Sequence, residues 1–205
     1  MEFDKIKNKG QARLFRNDYM EMMTKTHPFV IYCIYFPAIA FMLYTGVVKR
    51  GIPAGLEAIL FFSGVLFWTF FEYLMHRYLF HMIVDSPRAK KFVYTMHGVH
   101  HEYPRDKERL FMPPVPSIIV SSIIFVIMYG LMGWKALSFF PGFAFGYIAY
   151  GSMHYAIHAY APPKFLKALW RNHHLHHYKA PEKGFGVSSV LWDIVFKTVP
   201  KKEEA

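Results

Sequence analysis

The stretch ALSFFPGFAFGYIAYGSMHYAIH, from Ala136 to His158, combines two properties that together decide the architecture. It contains no lysine, arginine, aspartate or glutamate, and it is long enough to cross a bilayer, which takes about 20 mostly apolar residues. Its last part carries His154 and His158, which stand four residues apart and therefore share one face of a helix. The stretch predicts a membrane-spanning helix with paired imidazoles at one end.

Three further stretches have the same apolar character. They are PFVIYCIYFPAIAFMLYTGVV, PAGLEAILFFSGVLFWTFFEYLM and VPSIIVSSIIFVIMYGLMGW. Four such stretches in 205 residues leave too little polar sequence to cover them as buried helices of a soluble core. The sequence therefore predicts an all-α integral membrane protein with four transmembrane helices, at about 28–48, 53–75, 115–134 and 136–158.

The connections between these stretches predict the topology. Only residues 49–52 separate the first two and only Lys135 separates the last two, so we expect two tight helical hairpins. The segments 1–27, 76–114 and 159–205 must then share one face, and they hold 21 of the 24 lysines and arginines. By the positive-inside rule this face is cytosolic, in the endoplasmic reticulum of a eukaryote or the inner membrane of a bacterium. We expect a cytosolic helical cap there.

The charge and cysteine counts exclude several classes of protein. The formal net charge of +10 is accounted for by a cytosolic membrane face, and no nucleic-acid motif accompanies it, so we expect no nucleic-acid partner. A single cysteine, Cys33, rules out a disulfide scaffold and a cysteine-based zinc module. Because there is no internal repeat or long linker, residues 1–205 are expected to form one domain.

The 12 histidines are the most unusual feature of the composition. Ten of them fall into four clusters on the predicted cytosolic side, whereas His174 is an additional member of the last cluster and His27 stands alone. Neutral imidazole is the commonest nitrogen ligand for metals in proteins, and ten imidazoles exceed what one ion can bind. The ten are His76, His81, His97, His100, His101, His154, His158, His173, His176 and His177.

The spacing of these histidines predicts how they converge. In each HxxHH triplet the positions i, i+3 and i+4 share a helix face, so three imidazoles are expected to point in one direction. His76 and His81 are five residues apart, about 140° around a straight helix, and need a bend to converge. Glu72 lies one turn before His76 and is expected either to accept the second N–H of a ligand imidazole or to reach the headgroups. The count suits two ions with about five nitrogen ligands each, and a site without thiolates favours O₂ chemistry at iron over structural zinc.

The ordered boxes HRYLFH, HGVHH, HYAIH and HHLHH resemble those of the membrane histidine-box family of fatty-acid hydroxylases and sterol desaturases. The flanks HHEYPRDKERLFMPP and HHYKAPEKGFGVSSVLWDIVF are similar to those of its fatty-acid 2-hydroxylase branch. The similarity covers roughly residues 71–198. The positions that carry it are Pro104, Asp106, Arg109, Leu110, Pro113, Pro114, Gly184, Phe185, Gly186, Ser188, Leu191, Trp192 and Asp193.

This resemblance implies an O₂-dependent monooxygenase that places a hydroxyl group on C2 of a fatty acid or of the N-acyl chain of a sphingolipid or ceramide. It also implies a dimetal centre held by the ten histidines, with iron for activity and zinc as a metal with which the protein can be isolated. His174 is left out of this ligand set. On position alone, Tyr73, Phe80, Tyr155 and Phe185 are expected either to wall the substrate tunnel or simply to pack.

Some members of this branch carry a fused cytochrome b5 domain, for which residues 1–26 are too short. We therefore expect an external electron donor, such as a cytochrome b5 or a ferredoxin-type protein. Exposed basic residues could dock an acidic carrier or contact lipid headgroups; they are Lys90, Lys91, Lys164, Lys167 and Arg171.

Three alternatives remain open at the level of the sequence. Another histidine-box oxidase, acting as a sterol or carotenoid hydroxylase or as a desaturase, would share the same boxes. A histidine-rich metal transporter would need polar residues through the centres of its spans, which are nearly absent. A bis-histidine haem protein would place paired histidines inside the spans.

Overall fold

The structure, a computed structural model, describes residues 6–201. This part of the chain is helical and contains no β-strand, which confirms the predicted all-α class. The helices are α1 (Asp18–Met22), α2 (Pro28–Tyr44), α3 (Ala54–Leu74), α4 (Pro87–Val93), α5 (Val99–Glu102), α6 (Pro114–Met132), α7 (Ala136–Ala159), α8 (Lys167–Tyr178) and α9 (Leu191–Val195).

The long helices coincide with the four apolar stretches of the sequence. By length and hydropathy, residues 6–201 contain three candidate membrane spans, Pro28–Lys49, Ala54–Phe80 and Lys107–Ala159. The third is 53 residues long and includes both α6 and α7, which are separated by the short 3₁₀ turn Gly133–Lys135. The chain is therefore a membrane protein, as predicted.

Helix α7 is the centre of the bundle. It packs most extensively against α3 and α2, and α6 also contacts it. Gly64 and Gly142 allow the backbones of α3 and α7 to touch, because a Cβ at Gly142 would lie 1.9 Å from the carbonyl oxygen of Phe61. Small residues serve this purpose in membrane helix pairs, where close packing replaces the hydrophobic effect. The arrangement differs from two simple hairpins, because α2 packs mainly on α7 and little on its sequence neighbour α3.

Short elements cover the end of the bundle at which α3 and α7 finish and α2 and α6 begin. The N-terminal segment is tied to this cover by buried Arg109, which pairs with Glu21 of α1 and with Asp106 at 2.6 Å. The backbone N–H of Thr26 also donates to the carbonyl oxygen of Glu108 at 2.9 Å. Helices α4, α5, α8 and α9 complete the cover, and the histidines lie between it and the membrane helices.

Candidate metal centre

The ten predicted histidines converge in two groups of five. Within each group one ring nitrogen from every member lies within 4.8 Å of the others, and all members are buried except the half-buried His81 and His158. The first histidine group is His76, His81, His97, His101 and His176, and the second histidine group is His100, His154, His158, His173 and His177. The rings of His101 and His177 stack with centroids 4.2 Å apart, so the two groups are adjacent.

The bend that His76 and His81 require is a turn of π-helix. Residues Met75–Phe80 extend α3 with π-helical geometry, and the N–H of His81 lies 3.2 Å from the carbonyl oxygen of His76. Because a π turn bonds residue i to i+5, it brings two side chains five apart into line. A second π turn, Tyr94–Gly98, carries His97 into the site in the same way. The spacing showed that a bend was needed but did not specify its kind.

The HxxHH triplets do not each serve one group. In HGVHH, His97 and His101 belong to the first group and His100 to the second. In HHLHH the roles are exchanged, because His176 joins the first group and His173 and His177 the second. On a helix, position i+4 is displaced by about 40° to one side of i and i+3 by about 60° to the other. Each triplet therefore divides its imidazoles between two neighbouring points, which corrects the expectation of a single direction.

The distances between ring nitrogens fit a shared ion. The Nε2 atom of His97 lies 3.0 Å from Nε2 of both His76 and His101. In the second group, Nε2 of His173 lies 2.9 Å from that of His158 and 3.1 Å from that of His177. With metal–nitrogen bonds of about 2.1 Å, ligand atoms at right angles are about 3.0 Å apart. One imidazole nitrogen can donate only one hydrogen bond, so hydrogen bonding does not account for these convergent pairs.

Two backbone carbonyls orient rings of the first group. Nδ1–H of His76 donates to the carbonyl oxygen of Phe185 at 2.7 Å, and Nδ1–H of His176 donates to that of Lys183 at 2.7 Å. These bonds leave the lone pair on Nε2 of each ring available to a metal ion. The buried Nε2 of His176 has no hydrogen-bond partner among the described residues. The donor set therefore fits a metal ion.

Both carbonyls belong to the segment 183–188, which we call the carbonyl loop. Two buried carboxylates hold it: Asp193 accepts from the N–H groups of Phe185 and Gly186 at 3.0 and 2.8 Å, and Glu72 accepts from those of Val187 and Ser188 at 2.7 and 2.9 Å. Glu72 is thus buried instead of reaching the lipid headgroups, and the structure gives it no hydrogen bond to a histidine within residues 6–201. Its link to His76 runs through the carbonyl loop.

The second group has fewer polar supports. Nδ1 of His154 is 3.4 Å from the carbonyl oxygen of Leu110, and the ring of Tyr150 stacks on His154 with centroids 5.7 Å apart. Over the described part of the chain, the buried Nδ1 atoms of His100, His173 and His177 have no hydrogen-bond partner. Packing, more than hydrogen bonding, positions these rings.

Burial keeps these imidazoles neutral. It lowers the pKa of His97, His100 and His101 well below the usual value, and neighbouring histidines lower it further. The same causes, burial first, lower the pKa of His173 and His177. Metal binding requires the neutral ring, so the electrostatics of the site match the use of all these groups as ligands at neutral pH.

The two histidines outside the groups have other surroundings. His174 is exposed and belongs to neither group, although it lies in the HHLHH box directly after His173. His27 accepts from the N–H of Phe29 at 3.2 Å and so caps the N-terminus of α2. Capping by a histidine ring is a local role that its lone position in the sequence did not indicate.

A cavity of about 640 Å³ adjoins the site. His97, His100 and His154 line it, together with apolar and aromatic side chains of α3, α6 and α7. Of the four predicted tunnel residues only Phe80 lines the cavity; Phe185 instead packs on the rings of His76, His81 and His176, with centroids 5.6–5.7 Å away. Tyr73 is fully buried against Arg77 and Thr198, and Tyr155 is also outside the lining. Sequence reasoning missed the main walls, which are Trp68, Phe71, Phe143, Tyr147 and Tyr150.

Comparison with known proteins supports the same reading of the fold. The solved structure of full-length scs7p, in which only the hydroxylase domain is visible, superposes with a TM-score of 0.87 at 34% identity, covering 94% of this chain and 74% of that one. The ceramide very long chain fatty acid hydroxylase SCS7 of Saccharomyces cerevisiae is 36% identical over 93% of this chain and 50% of its own length.

Two further relatives come from a plant and from human. The dihydroceramide fatty acyl 2-hydroxylase FAH2 of Arabidopsis thaliana is 35% identical over 92% of this chain and 80% of its own length. The human fatty acid 2-hydroxylase is 32% identical over 93% of this chain and 57% of its own. The chain thus spans only about half the length of the yeast and human relatives. Residues 61–198 match the model of the fatty acid hydroxylase family. This range includes all four histidine boxes and the carbonyl loop. The resemblance inferred from the boxes and their flanks is therefore confirmed, and the chain belongs to the fatty acid hydroxylase family.

Proposed function

We propose that this protein is a metal-dependent monooxygenase that hydroxylates C2 of a fatty acid or of the N-acyl chain of a ceramide-type lipid. One C–H bond at C2 is replaced by C–OH, while O₂, two electrons and two protons yield the new hydroxyl group and one water. The observation that carries the proposal is the apolar cavity of about 640 Å³ that brings three of the ten clustered histidines to its wall. The printed names of the yeast, plant and human relatives support it further.

The ten histidines are proposed as the ligands of two ions, with iron as the active metal and zinc as a species that the same nitrogens would hold. Five neutral imidazoles around each point, without a thiolate, suit this choice. When bound, the metal pair would supply the oxidising power of the reaction. The chain's own task is to hold the rings, align the substrate and keep the cavity dry.

The choice of C2 rests on where the cavity lies. His154 stands near the end of α7, and the row Tyr150, Tyr147, Phe143 and Phe140 continues the lining along the same helix. From His154 to Phe140 this is about 21 Å at 1.5 Å per residue. A carbon next to the polar group can meet the histidines while the tail lies along this row. Attack near the methyl end would require the chain to enter in reverse, with its polar group in the apolar part of the cavity.

The finer membrane topology belongs to the same proposal. We take residues 107–159 as two crossings, α6 and α7, because 53 residues exceed the roughly 20 that one crossing needs. Four crossings put both termini of the hydroxylase domain and the histidines on one face. The excess of basic residues there favours the cytosolic face, of the endoplasmic reticulum or of a bacterial inner membrane.

The electrons are proposed to come from a separate carrier, such as a cytochrome b5 or a ferredoxin-type protein. Five basic side chains near the site are exposed and available for an acidic partner. They are Lys90, Lys91, Lys164, Lys167 and Arg171. The same positive charges would also attract anionic lipid headgroups.

The test is expression in a host that lacks 2-hydroxy lipids, with analysis of the lipids by mass spectrometry. The native chain should produce 2-hydroxy acyl chains, and His176→Ala should produce none. His174→Ala is the matched control, because it removes an exposed imidazole from the same helix and should leave the product unchanged. A hydroxyl group in mid-chain, a new double bond or a modified sterol would overturn the C2 assignment. So would the absence of any product from a chain with verified iron content and a supplied donor.

A further inference from the structure

A second, smaller cavity adjoins the first. It measures about 370 Å³ and is lined by side chains of α3, α6 and α7. Phe71, Ile124 and Phe143 line both cavities, so the two meet at these three side chains. The second cavity therefore adjoins the histidine-lined one across this junction, between α3 and α6.

The packing of the helices explains why a gap exists there. Helices α3 and α6 both pack on α7, but they make little contact with each other, so a groove lies between them with α7 as its floor. Along α6 the lining residues Val120, Ile124, Ile127, Met128 and Leu131 recur at intervals of three and four. Such residues share one face of a helix, and this face is turned to the groove over most of its length.

The occupant of this groove must be hydrocarbon. All nine side chains that line the second cavity are apolar, and they offer no hydrogen-bonding group. Ile127 and Leu131 are 56% and 83% exposed, which means that the groove is open sideways to the bilayer. Its position next to the histidine-lined cavity distinguishes it from an ordinary lipid-facing surface, because a tail that passes between the three shared side chains can remain attached to a group at the histidines.

The length of the path sets the kind of chain that it fits. From His154 to Phe139, the far lining residue of α7, it runs about 22 Å at 1.5 Å per residue. Half of a hydrocarbon core is about 15 Å, so a tail laid along this path passes the bilayer midplane. The junction at Phe143 lies about 16 Å from His154, so only a tail longer than this reaches the second cavity.

We propose that the groove between α3 and α6 binds the methyl end of the acyl substrate, and that Ile124 and Ile127 determine the longest chain accepted. This inference rests on the proposed function and adds the residues that select chain length. Ile124 lies at the junction, and Ile127 lies one turn further, about 4.5 Å along the path. A large side chain at either point would stop the tail at a different distance from the histidines.

The test compares Ile124→Trp and Ile127→Trp with the native chain, in cells supplied with acyl chains of graded length. Ile124→Trp should form 2-hydroxy products from the shortest acyl chains alone. The longest 2-hydroxy product of Ile127→Trp should be intermediate in length between that of Ile124→Trp and that of the native chain. Val126→Trp is the matched control, since Val126 is on the same helix, 67% exposed and outside both cavities. If both groove variants give the chain-length profile of Val126→Trp, the proposal is wrong.

A second measurement separates this proposal from that of the reaction. A long-chain fatty acid with a diazirine near its methyl end is photolysed with the purified protein in lipid nanodiscs, and the labelled peptides are identified. Labelling should fall on the groove segments 67–71 and 127–132 and should decrease in Ile124→Trp but not in Val126→Trp. Such labelling without any 2-hydroxy product would retain the groove and refute the hydroxylase. Uniform labelling of lipid-facing helices would refute the groove, even if 2-hydroxy products form.

Discussion

The two histidine groups contain the same kind of side chain in the same number, yet the chain supports them differently. In the first group, His76 and His176 each donate from Nδ1 to a backbone carbonyl at 2.7 Å, and both carbonyls lie in the carbonyl loop. In the second group the shortest contact of this kind is 3.4 Å, from His154 to Leu110. The two groups therefore differ in their hydrogen bonds to the backbone and not in their burial, because both are equally surrounded by protein.

This difference has a consequence for metal binding. A hydrogen bond at the far nitrogen fixes the tautomer and the direction of a ligand ring, and losing such a partner typically costs about 10–100-fold in metal affinity. The first group should therefore hold its ion more tightly and exchange it more slowly. The second group depends on packing, such as the stacking of Tyr150 on His154, and should be the more labile of the two.

The largest effect is expected when one ligand is removed from either group. His76→Ala should leave only the ion of the second group, and His173→Ala only that of the first, so that metal analysis finds one ion per chain instead of two. Both variants should lose 2-hydroxy product completely, because the proposed reaction uses both ions. A variant that lost both ions, or kept both, would show that the two groups are not separate sites.

The next effect concerns the support of the first group alone. Asp193 accepts hydrogen bonds from two N–H groups of the loop and, at 2.7 Å, from the hydroxyl group of Thr198. In Asp193→Asn, the new amide NH₂ group would face one of these hydrogen-bond donors. Metal affinity of the first group should fall about 10–100-fold, with the second group unchanged. Titration with a chelator, followed by metal analysis, measures this. Glu182→Gln makes the corresponding change at an exposed side chain next to the same loop and should behave like the native chain. Equal loss from both groups would indicate general unfolding and contradict a specific role of the loop.

Local periodicity was sufficient to predict much of this molecule. The four long helices follow from runs of apolar residues, and the convergence of the histidines follows from their recurrence at i+3 and i+4, both at the end of one such run and in the segments that follow the runs. Membership of the family followed from the boxes and flanks. These are all properties of neighbouring residues, and for that reason a single sequence contains them.

The division of ligands and the walls of the cavity could not be predicted in the same way. Which group His100 joins depends on the direction in which α5 and α8 face each other across the site, and that is a tertiary property. The π turn at Met75–Phe80 has no established sequence pattern. Asp193 lies 121 positions after Glu72, and only the structure brings both to one loop. The flank GFGVSSVLWD, which contributes to the family resemblance, contains Phe185 and Asp193, but its sequence does not indicate that they act on the histidines through backbone carbonyls.

A smaller effect should appear in the native protein when its metal is withdrawn. Excess chelator should remove the ions in two phases, the first from the second group, with rates that differ about tenfold if the missing carbonyl bonds account for the difference. His76→Ala, which retains only the second group's ion, should show the fast phase alone. His173→Ala should show the slow phase alone. A single phase, or the reverse assignment, would mean that packing orients imidazoles as well as the carbonyl loop does.

The smallest effect tests the loop backbone itself. Gly184 lies between the two carbonyls with φ of +70°, and a Cβ there would lie 2.9 Å from the carbonyl oxygen of Asn172. Gly184→Ala should lower the free energy of unfolding by about 1–2 kcal/mol from the left-handed backbone alone, and further because Asn172 is in the way. Gly10→Ala is the control, because Gly10 has φ of +85° but nothing within 4 Å of the added Cβ, so thermal unfolding of the two variants separates conformation from contact.

Metal analysis of Gly184→Ala then distinguishes two routes for the strain. Movement of the carbonyls of Lys183 and Phe185 would loosen the first group. Pressure on Asn172, which immediately precedes His173 in α8, would instead disturb the second group. We expect the first route, because Gly184 joins Lys183 directly to Phe185, so a change in its backbone displaces the two carbonyls that accept from His176 and His76. Preferential loss from the second group would show that α8, and not the carbonyl loop, is the softer support of the metal centre.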